Sequence, residues 1–168
     1  MPAPAAQPGM TTAYRPVPPR PLVIGPQIPL LSDDFEDSAL NRQWMWIRQP
    51  AEGTYGEENG VLRFDTQAAD LYVDSNNASV LTEPAPRGNY TVETKVRVTW
   101  PAGGCCFNYV QGGLVIYGDD DNFIKLTAFS NWETRQTEFA KEVFPVPEGY
   151  PRYGNTIVGP PGDWTWLR

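Results

Sequence analysis

Carboxylates are the most abundant side chains in this sequence that could perform chemistry, with 20 Asp and Glu in 168 residues. A retaining glycosidase needs two carboxyl groups about 5–5.5 Å apart on opposite sides of the scissile bond. On a β-sandwich such acids commonly alternate along one strand, but no three acids here stand at successive alternate positions. The nearest approximations are Asp34 with Glu36 and Asp119 with Asp121. The sequence therefore predicts no catalytic pair, and a glycoside hydrolase is the alternative interpretation.

Clustered carboxylates also suit Ca²⁺, a hard cation that prefers oxygen ligands. The acidic corner of residues 33–37 predicts a structural calcium site with Asp34 and Glu36 as ligands. A second acidic run, residues 119–122, lacks the spacing of an EF-hand loop. Asp and Asn are ordinary turn residues, so we interpret this run as a turn. No other cofactor is expected.

Aromatic residues are dense, with six Trp, eight Tyr and seven Phe. Flat rings beside planar polar groups are typical of saccharide sites, and Asn131, Trp132 and Arg135 provide that mixture. We predict them to form a platform that stacks on a sugar and hydrogen-bonds to it, with Tyr150 and Tyr153 as a loop wall. Packing of these rings in the core is the alternative. Core positions are predicted for three other tryptophans: Trp44, Trp100 and Trp164.

Several function classes are excluded by what the sequence lacks. It has no histidine, so it cannot form Ser-His-Asp, Cys-His or His-based metal sites within itself. The net charge of −7 without a basic stripe argues against nucleic acid and anionic membranes as partners. The adjacent Cys105 and Cys106 are either small loop residues or a vicinal disulfide, which would indicate an oxidising compartment.

The chain divides into a tail and one domain. Residues 1–31 hold nine of the 18 prolines, and proline fixes φ and lacks an N–H donor. We interpret this segment as an extended linker or tail, and residues 32–168 as a single domain by size.

The domain has the pattern of an all-β fold. Residues 90–100 alternate cleanly in polarity, which predicts a strand with one buried and one wet face. Two apolar runs, 114–117 and 123–126, flank an Asp-rich turn and predict a β-hairpin. Gly112 and Gly113 suggest a bulge or a close backbone approach. Further strands are predicted at 44–48, 61–65, 79–82, 135–143 and 164–168, and many short strands favour a sandwich or barrel.

Three segments resemble a known family. They are Leu31-Ser-Asp-Asp-Phe35, Trp44-x-Trp46-x-Arg48-x-Pro50 and the hairpin Gln111–Leu126. They are similar to the concanavalin A-like domain at the C-terminus of family 43 β-xylosidases. The resemblance implies a two-sheet jelly roll, a β-sandwich that lacks its last strands in this chain, because family domains run several strands further.

The resemblance also implies a non-catalytic role, since the catalytic acids of that family lie on a separate propeller. We expect a carbohydrate-binding or accessory domain for degradation of xylan- or arabinan-type polysaccharide. Its partners would be an oligo- or polysaccharide and a catalytic glycosidase domain. The alternative is a purely structural module that stabilises a neighbouring catalytic domain. We expect an extracellular or cell-surface location, although the sequence shows no signal peptide.

Overall fold

A computed structural model describes residues 24–100, 109–132 and 134–168. Residues 1–23, which include most of the predicted tail, and the pair Cys105 and Cys106 lie outside the described residues. The described part contains no α-helix, and its only helical element is a short 3-10 turn at Pro29–Leu31. No described helix has the length and apolar character needed to cross a membrane.

Twelve strands make up the described fold, and the predicted all-β class is confirmed. In chain order they are β1 (Met45–Ile47), β2 (Tyr55–Glu58), β3 (Val61–Phe64), β4 (Leu71–Tyr72), β5 (Ser75–Asn76), β6 (Val80–Thr82), β7 (Thr94–Val96), β8 (Gln111–Asp119), β9 (Asn122–Asn131), β10 (Thr134–Glu142), β11 (Tyr153–Gly159) and β12 (Thr165–Leu167).

The longest strands form one antiparallel sheet in the order β11-β10-β9-β8, here called the long sheet. The other strands pair two by two: β1 with β6, β2 with β3, β4 with β5, and β7 with β12. The inner face of the long sheet carries Phe123, which clusters with the buried Leu71 and Val80. Ile47, Ala78 and Val115 pack against this cluster, so the segments β1, β4 and β6 form the layer opposite.

The predicted hairpin around residues 118–122 is confirmed by β8 and β9, whose pairing closes at Asp119 and Asn122 with a bulge after Tyr117. The predicted close approach is confirmed at Gly113. A Cβ atom there would lie 2.3 Å from the Leu126 carbonyl oxygen and 2.7 Å from Thr127 Cα. At Gly112 the nearest atom to such a Cβ would be Val98 Cγ2 at 3.5 Å, an ordinary contact. Only the second glycine is therefore required by the packing of the strands.

Of the β2–β3 hairpin, only the second strand was predicted, at residues 61–65. Asn59 and Gly60 have φ values of 54° and 73°, the left-handed conformation that a two-residue hairpin turn requires. The prediction of 90–100 as one strand is only partly confirmed. Hydrogen bonding defines a strand only at β7, yet from residue 94 to 100 half-buried and exposed side chains alternate as expected.

The core prediction for Trp164 is wrong. Its side chain is 41% exposed, and Lys95 Nζ lies 5.4 Å from the ring centroid. In β12 it is Leu167 that is buried, at 3% exposure. Alternation therefore turns Leu167 inward and leaves the neighbouring Trp166 63% exposed.

Candidate functional site

The predicted platform lies at the β9–β10 turn. Asn131 pairs with Thr134, so the two strands are joined by only two residues, the first of which is Trp132. The Trp132 side chain is 61% exposed and its φ is 53°. A bulky residue in the left-handed region is strained, because that conformation normally belongs to Gly, Asn or Asp. The turn therefore presents a large ring to solvent at a conformational cost.

Arg135 is held against the same turn. Its Nη1 donates to the carbonyl oxygens of Trp132 and Thr134, at 3.3 and 3.0 Å. Its guanidinium also lies 5.2 Å from the centroid of the Trp100 ring. These contacts fix the cation on the backbone of the turn and over the Trp100 ring. The structure therefore places Asn131, Trp132 and Arg135 at the same turn, with Asn131 and Arg135 on opposite faces of the sheet because Arg135 pairs with Ser130.

Tyr150 and Tyr153 lie at the opposite end of the long sheet. Tyr153 pairs with Glu142, eight positions along β10 from Thr134. At about 3.3 Å per residue, roughly 26 Å separates the two ends. The prediction that Tyr153 belongs to a loop is wrong, because that residue begins β11. The five predicted residues thus occupy two places rather than one surface.

The two tyrosines differ in their surroundings. Tyr150 is 66% exposed, whereas Tyr153 is half-buried and its hydroxyl donates to Glu138 Oε1 at 2.8 Å. The ring of Tyr153 meets Tyr72 edge to face, with centroids 4.7 Å apart. Burial, followed by the bond to Glu138, raises the pKa of the Tyr153 phenol. Its contacts are those of a structural residue.

Three buried charged residues on the inner face were not predicted: Lys125, Glu138 and Glu142, which are 6%, 6% and 3% exposed. Glu138 accepts from Tyr153 and from Asn155 Nδ2 at 3.0 Å. Burial lowers the pKa of Lys125, whose Nζ lies 5.4 Å from the Tyr153 ring centroid. The strand alternation of β10 places Glu138 and Glu142 on one face. A search for two acids four residues apart on one face of a strand, rather than for three acids at alternate positions, would have found them.

Glu142 is part of an ion-pair network centred on Arg152. The guanidinium of Arg152 contacts Glu142 at 2.9 Å, Asp74 at 2.9 Å and Asp121 at 2.7 Å. It also donates to the Val73 carbonyl oxygen at 2.9 Å, while the Val73 N–H donates to Glu142 Oε2 at 2.7 Å. This network therefore ties the β4–β5 and β8–β9 turns to the end of β10.

The acidic turn of residues 119–122 is also bonded within the protein, which confirms the turn interpretation. Asp119 Oδ1 accepts from the Asp121 N–H at 2.8 Å and from Asn122 Nδ2 at 2.9 Å. These bonds lower the pKa of Asp119. Asp120 binds the Tyr117 hydroxyl at 2.6 Å and Arg48 at 2.9 Å. The carboxylates of this turn are occupied by protein donors.

The predicted calcium corner has a different geometry. Asp34 Oδ1 accepts from the backbone N–H of Glu36 at 3.3 Å, a local turn. Asp33 accepts from the Trp44 indole at 2.7 Å, and hydrogen bonds hold its pKa below the usual value against the effect of burial, the largest single influence. Within the described ranges no three metal-ligating side chains converge, and calcium at Asp34 and Glu36 stays a prediction.

Next to this corner lies a cavity of about 370 Å³ that was not predicted. Its walls include Trp44, Trp46 and Tyr55, and Glu52 and Glu57 also line it. Both carboxylate oxygens of Glu57 are buried, and this carboxyl shares a hydrogen bond with the Asp37 carboxyl. Burial and then the neighbouring Asp37 carboxyl raise the pKa of Glu57 to about 7.

Comparisons with known proteins agree with the fold. Residues 32–143, well over half of the chain, match the family model described as the beta xylosidase C-terminal Concanavalin A-like domain. No curated protein and no solved structure matches the chain. The nearly all-strand structure with its antiparallel sheets is that of a concanavalin A-like β-sandwich. The chain therefore belongs to the family of β-xylosidase C-terminal concanavalin A-like domains.

Proposed function

We propose that this domain is a non-catalytic accessory that binds xylan- or arabinan-type saccharide through the β9–β10 turn. The observation that carries the proposal is Trp132, a 61% exposed indole held in a left-handed conformation at the turn tip. The family match supports an accessory role, since the matched domain is a C-terminal domain of β-xylosidases.

The conformation of Trp132 carries two free-energy costs. An exposed indole forgoes the hydrophobic stabilisation that burial would provide. A positive φ at a bulky residue adds backbone strain, and such outliers cluster at functional sites. Asn or Gly at this position would avoid both costs. Stacking of the exposed ring on a sugar would offset both costs, and Asn131 and Arg135 lie at the same turn.

Titration with xylo- and arabino-oligosaccharides, followed by calorimetry, tests the proposal. Trp132→Asn should abolish binding while leaving the fold intact, because Asn suits the turn. Trp166→Thr is the matched control, since it removes an indole of similar exposure, 63%, from β12. Equal affinity of the wild type and Trp132→Asn would overturn the proposal, as would loss of binding in the Trp166 variant alone.

The family match favours a second candidate, a module that stabilises a neighbouring catalytic domain. In that case, the chain should show no saccharide binding. It should co-purify with a β-xylosidase catalytic domain and raise the melting temperature of that domain. A chain that binds saccharide and leaves the melting temperature unchanged would exclude this second function.

A further inference from the structure

The outward face of the β7–β12 ribbon is a second aromatic surface, formed by residues other than those of the β9–β10 turn. Strand alternation buries Leu167 and turns Trp164 and Trp166 to the opposite face, where they are 41% and 63% exposed. At about 3.3 Å per residue, the two indoles stand roughly 7 Å apart along the chain. Neighbouring exposed rings of this size form the kind of apolar patch that marks an interaction surface.

A single ammonium group stands between the two indoles. Lys95 is the direct cross-strand partner of Trp166, so its side chain projects from the same face of the ribbon. Its Nζ lies 5.4 Å from the centroid of the Trp164 ring and 5.6 Å from that of Trp166. The ring quadrupoles attract this cation but do not neutralise it. Among the described residues, Lys95 has no ion-pair partner and donates no hydrogen bond.

The carboxylates of this face are taken by arginines. Arg97 Nε lies 3.4 Å from Asp163 Oδ1, and Arg168 is paired with Glu93. Neither acid therefore compensates the charge of Lys95. In a chain whose net charge is −7, this face presents an uncompensated cation beside apolar rings. Charge complementarity thus favours an anionic ligand here.

We propose that this face binds a sugar that carries a carboxylate, of the uronic acid class, between the Trp166 ring and the Lys95 ammonium. A concavity of about 470 Å³, within the range of small-molecule sites, is lined by Trp166 together with Glu93 and Arg168. The flat C–H face of a pyranose packs on an indole, and a carboxylate on the same sugar pairs with an ammonium. A neutral sugar would use only the ring, and an acidic peptide would use only the charge.

Paired NMR titrations with methyl β-glucuronide and methyl β-glucoside test the role of the carboxylate. The two ligands differ only in whether a carboxylate or a hydroxymethyl group is attached to the ring. The glucuronide should bind about fivefold more tightly, the upper value for an exposed ion pair, and added salt should reduce this preference. Acetate, a carboxylate without a sugar ring, should bind more weakly than the glucuronide. The indole N–H signals of Trp164 and Trp166 should shift on binding.

Matched variants locate the site. Lys95→Gln should weaken glucuronide binding about fivefold and remove the preference over the glucoside. Lys141→Gln is the control, because it removes an exposed lysine from β10 and should leave both affinities unchanged. Trp166→Thr should abolish glucuronide binding, since it removes the stacking ring and leaves a residue that suits a strand.

Four results would overturn the proposal: no shift of the Trp164 and Trp166 signals at tens of millimolar glucuronide, equal affinity for the glucoside, acetate binding as tight as that of the glucuronide, or unchanged glucuronide affinity in the folded Lys95 variant. The two saccharide surfaces should respond oppositely to two variants. Trp132→Asn should keep glucuronide binding and lose the neutral oligosaccharides, whereas Trp166→Thr should do the reverse. Failure at one surface is therefore distinguishable from failure at the other.

Discussion

The two ends of the long sheet differ in what their side chains contact. At the β8–β9 end, Arg152 binds three carboxylates, and Asp120 binds Arg48 and the Tyr117 hydroxyl. At the β9–β10 end the indole of Trp132 stands 61% exposed beside Arg135. The first end uses its charges to join turns, whereas the second end presents a ring to solvent.

The difference shows that abundance of acids is a poor guide to activity in this chain. The acidic end has the composition expected of a metal or catalytic site, but its carboxylates are hydrogen-bonded to protein donors. A buried carboxylate that stays charged needs partners of this kind. At the sparsely charged end, the positive φ of Trp132 accompanies an exposed ring.

The largest expected effect comes from the strands that connect the two ends. Gly113→Ala would place a Cβ 2.3 Å from the Leu126 carbonyl oxygen, which belongs to the backbone of β9 and cannot yield. We expect a loss of about 4 kcal/mol in the free energy of unfolding. Urea denaturation checks this value. Gly112→Ala is the control and should cost much less, and equal losses at both glycines would contradict the assigned geometry.

The next effect tests the charged end. Glu142→Ala removes a side chain with 0% exposure, and with it the acceptor of the Val73 N–H and one partner of Arg152. Breaking a buried pair should cost about 3 kcal/mol. Chemical denaturation measures the loss, with the exposed Glu148→Ala as the control. A change below about 0.5 kcal/mol, typical of surface sites, would show that this end is not held by its charges.

A smaller effect distinguishes the two tyrosines that were predicted together. Tyr153→Phe removes the hydroxyl that donates to the buried Glu138 and should cost about 2 kcal/mol, the value of a hydrogen bond to a charged group. Tyr150→Phe should be neutral, because Tyr150 is 66% exposed. Thermal unfolding of the two variants provides the comparison. The same loss in both would mean that their surroundings do not differ.

The smallest stability effect is expected at the exposed end. Trp132→Asn should lower the free energy of unfolding by no more than about 0.5 kcal/mol, and an increase is equally consistent. The reason is that Asn tolerates the left-handed region. Chemical denaturation measures the free energy of unfolding of this variant, and the saccharide titration measures its binding. A large loss of stability would show that Trp132 holds the turn together, and the case for a binding role would fail.

Strand periodicity predicted most of the long sheet. The 114–117 and 123–126 runs lie within β8 and β9, and the Asp-rich turn connects the two strands. Alternating polarity predicts these strands correctly because one face of the long sheet packs on the layer that contains Leu71 and Val80. The family resemblance from the hairpin residues was confirmed as well.

Other elements could not be predicted, because their local sequence carries no clear strand pattern. The strands β4 and β5 have two residues each, and side chains from elsewhere hold them in place. The strand β11 begins with Tyr-Gly-Asn, a sequence typical of a turn, yet pairing with β10 makes it a strand. The aromatic cavity depends on residues 38–57 folding together, which no single motif in this stretch encodes.

Val73 shows what the Arg152 network does for the molecule as a whole. It is a β-branched residue with a φ of 51°, at the turn of a hairpin whose strands have only two residues each. Such a ribbon is unstable by itself, and both of its Val73 backbone groups are bonded to distant side chains. Deuterium exchange at the Val73 amide should therefore follow global unfolding rather than local fraying, so that a turn on the surface reports on the integrity of the interior.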